Sequence, residues 1–513
     1  MRRREFVRST VAAAVAASLP RSTALPAMYR VAQQAPVDVN AIRGDGGAVT
    51  LKGTELQELR GSLRGRLLLA SNEGYDDARR VLNPSIDRKP ALIVQATGAA
   101  DVRSAVDFAR DRSLLVAVKC GGHSPSGQST CNGGMMIDLS GLRGVRVDPV
   151  ARKAWVAGGS LLGQVDHEAL SHGLGTTLGT VSHTGVGGLT TGGGFGRLAR
   201  RFGLALDNVT ALDIVTADGR LRHASKVENP DLYWGVRGAG GNFGVVTSFE
   251  FQLHPMQRRV VGGDIIFPIA RAREVLDVYS DYSAIAPDAL YMDFFMARPP
   301  GGAPGVAGIN VCYSGPEQNA ERALAPIRKL GTPIADTARA IDYAALQQSG
   351  DVTDPRANGS YLKGGFTSEI KPELVSALVE GFEGHPQRST VIFFQQGGGA
   401  VSRVARAATA FPHRYARHTM ITVVSWKVED DAAPHTAWVK QYWSKLEPFT
   451  HGFYNNAMGG DETAAAINEN YRENYPRLVA IKNKYDPGNL FRLNANIQPT
   501  MKVTRTGETS QTG

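Results

Sequence analysis

Cysteine is nearly absent: Cys120, Cys131 and Cys312 are all that 513 residues contain. So sparse and odd a set excludes the dense bridge framework that holds small secreted domains together. Cys120 and Cys131 can either bridge in an oxidising compartment or pack as small apolar side chains. Apolar runs of membrane-spanning length are missing. A strong excess of one charge is missing too. The net charge is +9, and the first 24 residues hold five arginines against one glutamate. What remains is weak and dispersed and says little about partners; neither nucleic acid nor, after removal of a signal, a membrane is expected.

Several familiar catalytic spacings are also lacking. No G-K-[ST] follows a glycine run, so a P-loop is excluded. Gly238-Ala239-Gly240-Gly241-Asn242-Phe243 puts Phe where a dinucleotide fingerprint needs its third glycine. His167 and His172 are five apart, too far round a helix for the i, i+4 pair of a zinc protease, so they are expected on a helix surface. Gly122-His123-Ser124-Pro125-Ser126-Gly127 lacks the G-x-S-x-G order of a hydrolase elbow.

What is present begins with a basic head, MRRREFVR, followed by the short run STVAAAVAASLP and small residues through Ala24. That order suits a secretory signal, and Arg3-Arg4-Glu5-Phe6-Val7 resembles a twin-arginine export sequence. Export to the periplasm or outside the cell is therefore expected, and the mature chain should be soluble. Further on, ALIVQ (91–95) and LLVAVK (114–119) are expected strands. Between them Val102, Ala105, Val106 and Ala109 recur at helical spacing, giving a parallel β-α-β unit. Short strands at 135–140, 145–148 and 153–158 follow, then a helix over 161–172 capped by Gly173, and a hairpin turning at Asp218-Gly219. The mixture is α+β.

Glycine is concentrated in GGHSPSG (121–127), GVGGLTTGGGFG (185–196) and GAGGNFG (238–244). Each cluster follows or bridges strand-like sequence, so backbone without side chains is being brought close to something large. Three such clusters around a β-rich core point to a dinucleotide, whose pyrophosphate suits bare amides.

Three long stretches resemble the flavin domain of the berberine-bridge-enzyme-like oxidases of the vanillyl-alcohol-oxidase group. They begin at KPALIVQATG (89), GTVSHTGVGG (179) and NPDLYWGVRG (229), and the C-terminal KYDPGNLFRLNANIQP (484–499) resembles the family's return to that domain. The resemblance implies a two-part PCMH-type FAD-binding domain plus a substrate domain, an antiparallel sheet covered by helices. On this reading residues 1–24 are the signal peptide, 25–74 an N-terminal extension and 75–257 the FAD-binding domain. Residues 258–450 form the substrate domain, 451–500 the berberine-bridge-like return, and 501–513 a disordered tail. It further implies FAD carried on His123 by a single 8α-histidyl bond, since Val181 stands where many relatives have a second, cysteinyl tether. Gly121, Gly122, Ser124, Gly127, Gly185, Gly187, Gly188, Gly192, Gly193, Asn242, Val246, Asn494 and Asn496 are implied along the cofactor. Thr184 falls near the flavin face at which relatives control oxygen access.

For the chemistry, Tyr454 and Asn456 match the family's Tyr-x-Asn pattern, on a strand entering the active site. Tyr454 reads equally well as a packed core residue. Gln395 and Gln396 are weaker candidates for substrate hydrogen bonds. The implied activity is oxidation of a small organic molecule, an alcohol, sugar, amine or secondary metabolite, with oxygen as acceptor. A dehydrogenase using another acceptor, and a flavin-loaded binding protein without turnover, stay open.

Overall fold

A computed structural model describes residues 37–299, 303–382, 389–503 and 509–511. The expected signal peptide lies outside them. Asp38–Gly513 forms one compact unit.

The first sheet orders its strands Arg66–Leu68, Leu92–Gln95, Met135–Asp138, Val116–Lys119. The β-α-β unit is there with a strand inserted: Leu92–Gln95 and Val116–Lys119 both pair in parallel with Met135–Asp138, which lies between them. Helix Ala99–Asp111 covers this sheet with Val102, Ala105, Val106 and Ala109, all fully buried, as their spacing required. Arg66–Leu68, within the stretch read as an extension, is its antiparallel edge strand.

The second sheet is antiparallel, in the order Leu221–Ser225, Val209–Thr216, Gly244–Gln252, Lys153–Ala157, Val145–Asp148. Gly219 makes the hairpin turn with φ +74°, a conformation that a side chain would strain. Helix Leu162–Leu170 ends before Gly173, whose φ of +65° fits the expected cap. His167 and His172 are exposed.

The large third sheet is antiparallel throughout, with neighbouring strands Arg259–Pro268, Val306–Tyr313, Leu290–Arg298, Ser389–Gln396, His418–Lys427 and Asn358–Thr367. Side chains alternate along these strands. Leu290, Met292, Phe294, Ile392 and Phe394 share one core with helices Ala272–Ile285, Pro372–Gly381 and Ala432–Leu446. Phe393, Gln395, Ile421 and Leu362 point the other way, onto a cavity.

The C-terminal helix Tyr475–Tyr485 is followed by an irregular segment held by a buried ion pair, Lys482 Nζ to Asp486 Oδ2 at 2.7 Å. Asp486 also accepts from the backbone N–H of Leu490 and Phe491. Met501–Val503 pairs antiparallel with Thr509–Gln511.

Candidate active site

The glycine loops converge on a cavity of about 450 Å³, closed on its far side by the third sheet. Gly121 and Gly185 explain the convergence: a Cβ on Gly121 would lie 2.4 Å from the Gly185 nitrogen, so the two backbones touch only because neither carries a side chain. Among the candidates, Gly121, Gly122, His123, Ser124, Thr184, Gly185, Gly187, Gly188, Val246, Asn494, Tyr454 and Asn456 line this cavity.

Gly127, Gly192, Gly193, Asn242 and Asn496 are not part of its wall, and four of them have visible structural work. Gly127 turns the loop at φ +73°, and its carbonyl accepts from Arg88. Gly192 and Gly193 back two of the candidate side chains: a Cβ on Gly192 would fall 2.1 Å from Asn456 Oδ1, and one on Gly193 3.0 Å from the Tyr454 ring. Asn242 is fully buried, donating to the carbonyls of Ala239 and Ala495 and accepting from the Ile497 N–H. It ties the C-terminal return to the third glycine loop.

Half of the glutamine pair also moves. Gln395 faces the cavity, whereas Gln396, one residue on, points through to the opposite face, accepting from Met292 N–H and donating to the Ser283 carbonyl. A one-residue step on a strand always reverses the face.

His123 sits at one end, its Nε2 2.6 Å from His183 Nδ1 and its Nδ1 3.4 Å from the Thr184 hydroxyl. Burial, and secondarily the neighbouring His183, push its pKa down to about 4, so the imidazole is neutral and nucleophilic at pH 7. His183 was missed as a site residue, although it stands in the quoted TVSHTG run; its partners are 60 and 169 residues away, beyond any local spacing signal.

Tyr454 lies just before a short 3-10 turn, Asn455–Ala457, rather than on the expected strand. Its ring packs into an aromatic cluster with Phe195, Phe366 and Phe411, edge-on to Phe195 at 5.3 Å. Its hydroxyl oxygen accepts from Gly194 N–H at 2.9 Å and Asn456 Nδ2 at 2.8 Å, while Asn456 donates its other hydrogen to the Leu189 carbonyl. Both lone pairs are occupied, so the phenol's own proton is the group left to offer. Burial holds its pKa above the ordinary value, against the pull of the two donors. Phe195, Leu362, Phe393, Ile421 and Asn455 complete this end and were not singled out from sequence.

All three cysteines are free, Cys120 donating to the Gly158 carbonyl at 3.1 Å. Among the described residues no cluster suited to a metal ion is found, and no helix is long and apolar enough to cross a membrane.

Comparison with known proteins matches residues 90–225 to a FAD binding domain family and residues 454–498 to the berberine and berberine-like family. A FAD-linked oxidoreductase of Dictyostelium discoideum is 30% identical over 441 residues, covering 85% of this chain and 95% of that protein. The crystal structure of 6-hydroxy-D-nicotine oxidase from Arthrobacter nicotinovorans matches with a TM-score of 0.76 at 27% identity, over 85% of this chain and 98% of that one. Glucooligosaccharide oxidase from Acremonium strictum, described with a 6-S-cysteinyl, 8α-N1-histidyl FAD, shares the fold with a TM-score of 0.77 at 24% identity, over 86% and 99%.

Proposed function

Because the chain belongs to the berberine-bridge-like FAD-linked oxidoreductases, we propose that it is an oxidase, carrying FAD on His123 and acting on a small, neutral, largely apolar alcohol or amine. The observation that carries this reading is one continuous cavity, walled by glycine backbone and His123 at one end and by Tyr454 under an apolar sheet face at the other.

Two features of the wall fit the cofactor. A Cβ on Gly188 or Gly241 would meet nothing within 4 Å, so bare backbone opens on the cavity. Asn494 lines the cavity and its buried Oδ1 has no protein partner, which a ligand hydrogen bond would satisfy. Bound there, FAD supplies a hydride acceptor and returns the electron pair to oxygen as hydrogen peroxide. His123, neutral at pH 7, supplies the nitrogen for attachment. The cavity offers no thiol at Val181 for a second tether.

The remaining residues orient the substrate and handle its proton. Tyr454, as phenolate, accepts the proton of the reacting O–H or N–H, and Asn456 and Gly194 N–H donate to its oxygen and fix it. Gln395 supplies one polar contact. Of the described residues that line the cavity, none is Asp, Glu, Lys or Arg, so a charged substrate would be desolvated without a partner. Sugar hydroxyls laid against Leu362, Phe393 and Ile421 would each lose roughly 1–3 kcal/mol of hydrogen bonding, which favours a flat, apolar molecule.

The N-terminal sequence supports export of the folded, flavin-loaded protein by the twin-arginine route. Replacing Arg3 and Arg4 by Lys should retain the protein in the cytoplasm. The main test is colour. Purified protein should be yellow, stay yellow after acid precipitation, bleach anaerobically with aromatic alcohols or amines, and recover in air with release of peroxide. Slow recovery in air would identify a dehydrogenase instead, and persistent colour with every compound would defeat the substrate assignment.

A further inference from the structure

The tautomer of His123 is set by a chain of hydrogen bonds that runs from Val352 through His183. The backbone N–H of Val352 donates to His183 Nε2 at 3.0 Å. A backbone amide can only donate, so Nε2 of neutral His183 is unprotonated and its hydrogen is on Nδ1. That hydrogen points at His123 Nε2, 2.6 Å away. His123 Nε2 is therefore the acceptor, and Nδ1, on the Thr184 side, is the atom left free of an aromatic partner. The turn that aims Val352 is itself fastened, since Asp351 accepts from both the N–H and the hydroxyl of Ser182, at 2.7 and 2.5 Å.

We infer that His183, locked by Val352, is a positioning residue that directs covalent flavin attachment to Nδ1 of His123. The inference rests on the reading of His123 as the attachment point. An imidazole alkylated at Nδ1 keeps one lone pair, on Nε2, and the fixed His183 N–H is the donor that this linked state needs. Attachment at Nε2 would drive the new substituent into His183. In the step itself, the Nδ1–C8α bond forms while one C–H of the 8α-methyl and the Nδ1–H break. Both hydrogens leave as protons, the electron pair reduces the isoalloxazine ring, and molecular oxygen removes two electrons and two protons as hydrogen peroxide.

The test measures, in purified holoprotein, total flavin, the share that stays on acid-precipitated polypeptide, and the linkage atom by NMR of the isolated flavopeptide. In His183→Ala total flavin should persist while attachment slows roughly 100-fold, the scale of a misaligned reacting group, or attachment shifts to Nε2. His183→Asn places an amide N–H where Nδ1–H stands and should restore Nδ1 linkage. Complete Nδ1 attachment at the wild-type rate in His183→Ala would overturn the inference while leaving the flavin reading intact; wild-type protein with only dissociable flavin would overturn both. Should His183→Ala not fold, nitrogen-15 correlation spectra of histidine-labelled wild type decide the matter. Protonation of His183 at Nδ1 is expected, and at Nε2 would refute it.

Discussion

Replacing Tyr454 by Phe removes one oxygen and leaves the ring in its aromatic cluster. The loss is readable on two scales. The Gly194 N–H loses the acceptor the tyrosine gave it at 2.9 Å, and Asn456 Nδ2 loses one of its two. Buried donors without partners cost about 1–3 kcal/mol each, so a destabilisation of about 2–6 kcal/mol is expected. A unit of this length unfolds with an entropy near 1 kcal/mol/K, which makes the shift in melting temperature only about 2–6 °C. The rate effect should be far larger. If the Tyr454 phenolate takes the substrate proton, anaerobic flavin reduction should slow by about 10²–10⁴-fold. The pH profile separates the roles. Burial holds the phenol above its ordinary value near 10, so phenolate is scarce at neutral pH. A base role then requires the reduction rate to climb tenfold per pH unit through the neutral range without levelling by pH 10, and the climb to vanish in Tyr454→Phe. A variant that melts a few degrees lower yet reduces its flavin at the wild-type rate would refute the assignment and leave Tyr454 as core.

Gly188→Leu should leave the unliganded fold about as stable, because a Cβ there meets nothing and glycine is a poor helix residue, yet cut flavin content several-fold; full flavin content would place the cofactor elsewhere. Arg414→Leu strands the Asp207 carboxylate, now gripped through both oxygens at 2.7 Å in a buried pair, and should destabilise by about 3–5 kcal/mol in thermal unfolding; an unchanged melting temperature would contradict it. His413 and His418 are pushed down to about 3 by burial, whereas unfolded histidine takes its proton near 6.5. The unfolded chain thus binds more protons between those values, so stability is complete above about pH 6.5 and is lost as pH falls toward 3. Melting curves should show that slope lessened in His418→Gln; an identical slope would remove the histidine from the account.

The glycine-walled end of the cavity was legible because its material is backbone. Glycines at 121, 185, 187 and 188 appear in the sequence as an absence of side chains, and the helix over 99–111 declares its buried face by spacing. Asn242 was drawn into the same reading by its place in GAGGNFG, although its side chain serves contacts to Ala495 and Ile497, more than 250 residues ahead. The sheet-walled end was legible only as a class of structure. Alternation announces a two-faced strand, but in STVIFFQQ each face carries two apolar and two polar residues, so the pattern does not say which parity meets the cavity. Gln395 and Gln396 were separated only by the register of Ser389–Gln396 against its neighbours.

The segment 179–183 joins these two ends physically. The Gly179 carbonyl accepts from Gln347 and the Thr180 carbonyl from Arg197, Ser182 donates twice to Asp351, and His183 accepts from Val352. Gln347, Asp351 and Val352 lie beyond the strands of the second sheet, in the helix Tyr343–Gln348 and the turn after it. The loop opposite His123 is therefore held by the part of the chain that also builds the third sheet. A change in that turn should alter flavin attachment without touching the cavity: an Asp351→Ala variant loses both bonds from Ser182, frees the turn that aims Val352, and should lower the covalent share of flavin while leaving Tyr454 and the apolar wall in place. An Asp351→Ala protein with wild-type linkage would mean that the turn is held by other contacts and that the two ends are independent.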